Sequence, residues 1–133
     1  MPITVTTELP DAQTPSLDNG IEDEITASWT DIINYGSIRV EYKESSASTW
    51  TDWGTVDESA TSATITGLED GEEYDVRIRT ETEHKTGAWT AAVSITTAFP
   101  TPAGFSVDSS TKTSASFSWT DQADNEDGFR LLR

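Results

Sequence analysis

The chain contains no cysteine. Disulfide staples and thiolate metal centres are both excluded, and the redox compartment is left open. No run approaches the roughly 18 consecutive apolar residues of a helical membrane span. Basic residues are scarce, with 8 Lys and Arg against 24 Asp and Glu, for a formal net charge of −16 and a pI near 4.1. Such a surface repels nucleic-acid phosphates and anionic membranes, so neither nucleic acid binding nor membrane insertion is expected. Histidine occurs once, at His84. With no Ser or Cys nucleophile elbow beside it, no catalytic residue is expected, and the chain reads as a non-enzyme.

What is present in excess is negative charge. Self-repulsion of this size destabilises a compact state, and salt relieves it by shrinking the Debye length to about 3 Å at 1 M. Only three of the basic residues are lysines: Lys43, Lys85 and Lys112. The balance points to adaptation to high salt, as in a halophilic system.

A repeat defines the structural unit. Ser-Trp-Thr-Asp stands at residues 28–31 and again at 118–121, so Trp29 and Trp119 are 90 residues apart. The same offset relates Leu9-Pro10 to Phe99-Pro100, Thr6-Thr7 to Thr96-Thr97, and Ile3 and Val5 to Val93 and Ile95. The chain therefore divides into a strand-like extension (residues 1–8), one whole unit (9–97) and the opening of a second (98–133). The extension has neither the basic nor the apolar region of a secretory signal. At the other end, Leu131-Leu132-Arg133 stops within an apolar alternation, which reads as a window cut from a longer array.

Alternation with period two recurs, and no stretch sustains a helical period. Ile25, Ala27 and Trp29 alternate, as do Ile38, Val40 and Tyr42, with Arg39, Glu41 and Lys43 opposite. Trp50 and Trp53 follow a Ser-rich turn. Ala63 and Ile65 precede Gly67-Leu68, and Asp70-Gly71 marks a turn. Tyr74, Val76, Ile78 and Thr80 point inward, with Asp75, Arg77, Arg79 and Glu81 outward. A last strand carries Trp89, Val93 and Ile95. Short strands separated by turn signals argue for an all-β sandwich.

These residues resemble the fibronectin type III domain family. Leu68, Gly71 and Tyr74 look like its E–F corner, where the tyrosine hydroxyl bonds nearby backbone. Trp29 looks like its strand B tryptophan, and Gly87-Ala88-Trp89 with residues 93–97 like the end of the F–G loop and strand G. From Phe99 onward, Pro100, Pro102, Phe105, Val107, Phe117 and Trp119 resemble strands A and B of a second copy, with Phe129 and Leu131 opening strand C. The resemblance implies a seven-stranded immunoglobulin-like sandwich, A-B-E against C′-C-F-G, followed by a partial second sandwich. Trp29, Tyr42, Leu68, Tyr74, Val76, Ile78, Val93 and Ile95 are expected in the core. Trp119 is expected to repeat the structural role of Trp29, and the proline-bearing join at 96–102 to be a stiff connector.

Candidate sites are few. Asp121, Asp124, Glu126 and Asp127 depart from the EF-hand pattern, since no Glu closes the loop, so no metal and no cofactor is expected. Trp50, Trp53 and Trp89 suggest an aromatic platform for glycan, but a three-residue spacing sends Trp50 and Trp53 to opposite faces of a strand. The candidate binding loop comprises Tyr35, His84, Lys85 and Trp89.

The function expected is that of a structural or adhesive module. The family resemblance and the acidity together point to a virus particle (tail, fibre or capsid-surface protein) of a high-salt host. The alternative is a spacer or binding module of a secreted or cell-surface protein, such as a polysaccharide hydrolase or adhesin. Expected partners are proteins, either other subunits of an assembly or a host surface protein, with glycan as a further candidate.

Overall fold

The computed structural model describes residues 2–3, 8–20, 22–30 and 36–133. Of the proposed extension, residues 1 and 4–7 lie outside the described set, as does Tyr35. Among the described residues nine strands follow in order: β1 (Ser16–Asp18), β2 (Ile25–Ser28), β3 (Ser37–Glu44), β4 (Thr51–Asp57), β5 (Ser62–Ile65), β6 (Glu73–Glu81), β7 (Val93–Thr96), β8 (Ala103–Ser110) and β9 (Ala115–Thr120). Among the described residues there is no helix, in keeping with the period-two pattern.

The first seven strands form two antiparallel sheets, β1-β2-β5 and β4-β3-β6-β7. This is the expected two-sheet arrangement. Register explains the core. Ile25 pairs with Ile65 and Ala27 with Ala63 in one sheet; Val40 pairs with Ile78 and Tyr42 with Val76 in the other. Paired residues share a face, so the apolar alternation of each strand meets its counterpart between the sheets.

The core cluster is Ile25, Ala27, Trp29, Ile38, Val40, Ala63, Ile65, Leu68, Tyr74, Val76 and Ile78. Tyr42 and Ile95 pack against it while partly buried. Val93 is a correction. It is only partly buried and stays outside the cluster, because it is the first residue of β7, where that short edge strand begins. Trp53 packs against the core while Trp50 does not, as their spacing predicts.

The crossover between sheets is pinned at residues 68–74. The Tyr74 hydroxyl accepts a hydrogen bond from the Glu69 N–H at 3.0 Å, the bond anticipated for that tyrosine. Burial pushes the Tyr74 phenol above its ordinary pKa.

The join to the second unit is fastened to this same turn. The Thr97 hydroxyl donates to the Glu69 carbonyl at 2.5 Å and accepts from the Glu72 N–H at 3.1 Å. Pro100 is buried. The Phe99 ring lies over Gly71, whose φ of +67° suits glycine, and a Cβ there would overlap the ring. The Asp70 carbonyl accepts from the Asn125 amide at 3.2 Å. Stiffness at the join thus comes from docking as well as from proline.

β8 and β9 form a separate antiparallel hairpin. Its register repeats the first unit: Ser16↔Ser28 and Leu17↔Ala27 recur 90 residues on as Ser106↔Ser118 and Val107↔Phe117. Beyond the hairpin the expectation fails. Residues 129–133 form no strand, and Phe129 instead meets Trp119 edge-on, with ring centroids 5.4 Å apart. In the first unit β3 is held between β4 and β6. Among the described residues nothing offers such neighbours to 129–133, so its backbone has no ladder to join. Trp119 is 40% exposed where Trp29 is 7%.

Candidate interaction face

The outward residues of β3 and β6 lie in register as Arg39↔Arg79, Glu41↔Arg77 and Lys43↔Asp75. Four of the chain's eight basic residues thus share one sheet face. Two of these pairs join opposite charges, and the third sets two arginines side by side, an arrangement that costs stability unless an anion intervenes. Glu81 intervenes. Its carboxylate accepts from Arg39 Nε at 2.9 Å and lies 3.3 Å from Arg79 Nη2. Arg39 Nη1 also reaches Asp52 on β4 at 2.7 Å.

Arg77 Nη2 lies 2.6 Å from Glu41, and its guanidinium sits between two indoles, 4.0 Å from the Trp50 centroid and 4.4 Å from that of Trp89. Arg79 also stacks on Trp89, at 4.4 Å. Lys43 Nζ lies 3.0 Å from Asp75 and 5.5 Å from the Trp50 ring. The result is a row of alternating cations and aromatic faces rimmed by carboxylates. Planar guanidinium suits this better than ammonium, because it stacks and hydrogen-bonds at once.

The electrostatics follow from the contacts. Hydrogen bonds from Arg39 hold the Glu81 carboxyl below its ordinary pKa, outweighing its burial. Burial pushes Asp75 up, but bonds from Ser94, Ser45 and Lys43 overcome that and leave it lowered. Arg39 is held in its charged form chiefly by Glu81 and then by Asp52. Both carboxylates therefore bind fewer protons folded than unfolded. Their stabilisation is present above their ordinary pKa values of 3.8 and 4.5, and it is lost as pH falls through the depressed ones. Urea titrations at stepped pH are expected to show stability dropping below roughly pH 4. Glu81→Gln is expected to flatten that drop.

The sequence-derived candidates do not converge. His84 sits at the tip of the turn 82–85, with its side chain 87% exposed. The turn is closed by the Thr82 N–H donating to the Lys85 carbonyl at 2.7 Å, and the Lys85 N–H donates to the Thr82 hydroxyl. Trp89 lies apart from the turn tip, on the sheet face against Arg77 and Arg79. Trp50 and Trp89 each give a face to Arg77, and Trp53 packs on the core, so the three do not line up as an open platform. Sequence reasoning identified the outward residues of β3 and β6 but not their assembly around Trp50 and Trp89. The alternating charges were the available signal; the cross-strand register was not.

A second feature is the cleft of about 480 Å³ at the join, lined by Glu22, Asp23, Glu69, Asp70, Gln122 and Asp124 among others. Asp121 Oδ1 accepts from the Ala123 N–H, and the Asp124 N–H points at the Asp70 carboxylate at 3.4 Å. Among the described residues, no three His, Cys, Asp or Glu side chains are grouped to hold a metal ion.

Comparison with known proteins decides the family. The sequence profile of the fibronectin type III domain matches residues 13–96. The chain belongs to the fibronectin type III family. A solved fibronectin type III domain of human collagen XX is 20% identical, with a TM-score of 0.58 over 73% of this chain and 100% of its own. A computer-redesigned β-sandwich protein is 24% identical, with a TM-score of 0.55 over 68% of this chain and 92% of its own. At these identities the likeness is one of fold. No curated protein matches the chain. Within the fibronectin type III unit, β1-β2-β5 supplies one sheet and the cation–aromatic row decorates the outside of the other. Membership suggests a structural or binding module.

Proposed function

We propose that the chain is a non-enzymatic structural and adhesive module of a particle surface working in high salt, such as a virus tail, fibre or capsid-surface component. The observation that carries this reading is the distribution of charge. Fourteen of the sixteen net negative charges fall on residues 1–97, yet the outer face of β3 and β6 gathers four cations and saturates them with named carboxylates. Apart from the buried Asp70, the remaining acids supply a charged shell that resists precipitation in brine and repels itself in dilute buffer. The family supports a binding role, and the self-neutralised face offers a firm plate for a protein partner.

Melting followed by circular dichroism in about 0.1 M and about 3 M NaCl tests the salt adaptation, since the Debye length falls from roughly 10 Å to below 3 Å over that range. A rise in Tm of ten degrees or more is expected; a Tm indifferent to salt would sink the reading. Gold-labelled antibody on purified particles tests the setting, and absence of label removes the virus-particle assignment.

A further inference from the structure

The join between the units has two sides of opposite character. On one, the connector is docked: Thr97 bonds the backbone of Glu69 and Glu72, Phe99 covers Gly71, and Pro100 is buried. On the other, Gln122 and Asp124 of the second unit meet residues 22–23 and 67–70 of the first around the cleft of about 480 Å³. Among the described residues, two hydrogen bonds tie the loop 121–127 to the first unit, and both end on Asp70. The Asn125 amide donates to its carbonyl at 3.2 Å, and the Asp124 N–H reaches its carboxylate at 3.4 Å, long for such a bond.

The charge around the cleft is all of one sign. Glu22, Asp23, Glu69 and Asp70 contribute from the first unit and Asp124 from the second, and no Lys, Arg or His is among the lining residues. Asp70 is buried, but the other four are exposed. Like charges brought together raise the free energy of the closed joint, and exposure leaves these four open to screening. A cleft of this volume is roughly 8 Å across, inside the Debye length of about 10 Å at 0.1 M salt and well beyond the ~3 Å of 1 M. The repulsion therefore acts in dilute buffer and fades in brine. Among the described residues no three acidic side chains are grouped to hold a metal ion, so cations act here as a diffuse cloud.

The docked side does not share this dependence. Phe99 over Gly71 and the buried Pro100 make apolar contacts, which carry no charge to screen. A unit fastened firmly at 97–100 and lightly at 121–127 turns about the firm point.

We propose that the join is a salt-dependent hinge. In brine the loop 121–127 seats on Asp70 and the hairpin β8–β9 is held at a fixed angle to the first unit. In dilute buffer, repulsion across the cleft lifts the loop, while Thr97 and Phe99 stay docked as the pivot. Salt thereby sets the angle between the units, an effect separate from the salt dependence of stability proposed above.

Because the chain contains no cysteine, Ser59→Cys and Thr113→Cys at exposed turn positions place one spin label on each unit. Double electron–electron resonance on the full chain is expected to give one narrow distance in about 3 M NaCl. The distribution should become about twice as broad as salt falls below about 0.1 M, with circular dichroism showing the first unit still folded. A distribution that stays narrow down to the salt concentration at which that unit unfolds would overturn the proposal. Glu22→Gln, Asp23→Asn and Glu69→Gln together remove three of the facing charges, and Glu69 serves the corner through its backbone. This triple variant should stay narrow in dilute buffer; broadening equal to that of the wild type would overturn the charge mechanism. Asn125→Ala removes the amide that ties the loop. It should broaden the distribution even in brine, with melting of the first unit unchanged, and a narrow distribution would overturn the seating on Asp70. Calcium chloride at micromolar levels should change nothing, and closure there would replace screening with coordination. A Tm indifferent to salt beside a hinge that opens would remove the salt adaptation and leave the hinge standing.

Discussion

Trp29→Ala is expected to lower the stability of the first unit by about 3–5 kcal/mol, the cost of removing a large buried aromatic side chain. Trp29 is 7% exposed, immediately follows β2, and belongs to the core cluster. Its indole Nε1 donates to the Ala60 carbonyl at 2.9 Å, and its backbone N–H donates to the Thr61 carbonyl at the same distance. Truncation empties the site and leaves the Ala60 carbonyl without that donor, two separate losses. For a unit of this size Tm should fall by roughly 15–30 °C. Trp29→Phe separates the contributions: it keeps most of the packing and loses the hydrogen bond, and should cost about 1–2 kcal/mol. Equal losses from both variants in chemical denaturation would show that packing is not the main term.

Gly36→Ala is expected to cost about 3 kcal/mol, combining strain at an unfavourable φ with steric overpacking. Gly36 immediately precedes β3 with a φ of +91°, beyond the left-handed well that L-residues tolerate. A Cβ there would stand 2.5 Å from the Glu81 carbonyl oxygen and 3.1 Å from a Thr82 methyl. The oxygen belongs to backbone at the end of β6, where Ser37 pairs with Glu81, so relief requires the β3–β6 ladder to open at that end. Glu81 also carries the bonds from Arg39 and Arg79, so the damage should spread to the outer face. Hydrogen exchange should show faster opening of Ser37 and Glu81 amides than of Val40 and Ile78. A Gly36→Ala midpoint equal to the wild type in urea would refute the steric argument.

The parts of the fold legible in the sequence are those fixed by local pattern. Alternation placed β3 and β6 almost to the residue, and the phrase around Tyr74 located the corner, because both depend on residues within about ten positions of each other. Val93 falls outside the core for a tertiary reason: alternation says which way a side chain points, but not that the residue stands at the open end of a short edge strand. The pairing of Arg77 with Trp50 and Trp89 was hidden likewise. It needs the β3–β6 register and the path of residues 45–50, which bring positions 27 residues apart within stacking distance. The anchoring of Thr97 and Phe99 on residues 69–72 left only one trace in the sequence, the glycine at 71, which by itself marks any turn.

The chain enters and leaves the first unit at opposite poles. The Pro10 carbonyl is held by the Thr80 hydroxyl at 2.7 Å, and Thr97 is held at Glu72, so the two tethers bracket β6 end to end. Tension applied along the polypeptide therefore runs parallel to the strands. The bonds between β6 and β7 are then loaded in shear, all together, where a perpendicular pull would part them one at a time. A module anchored in this way transmits force and gives way abruptly.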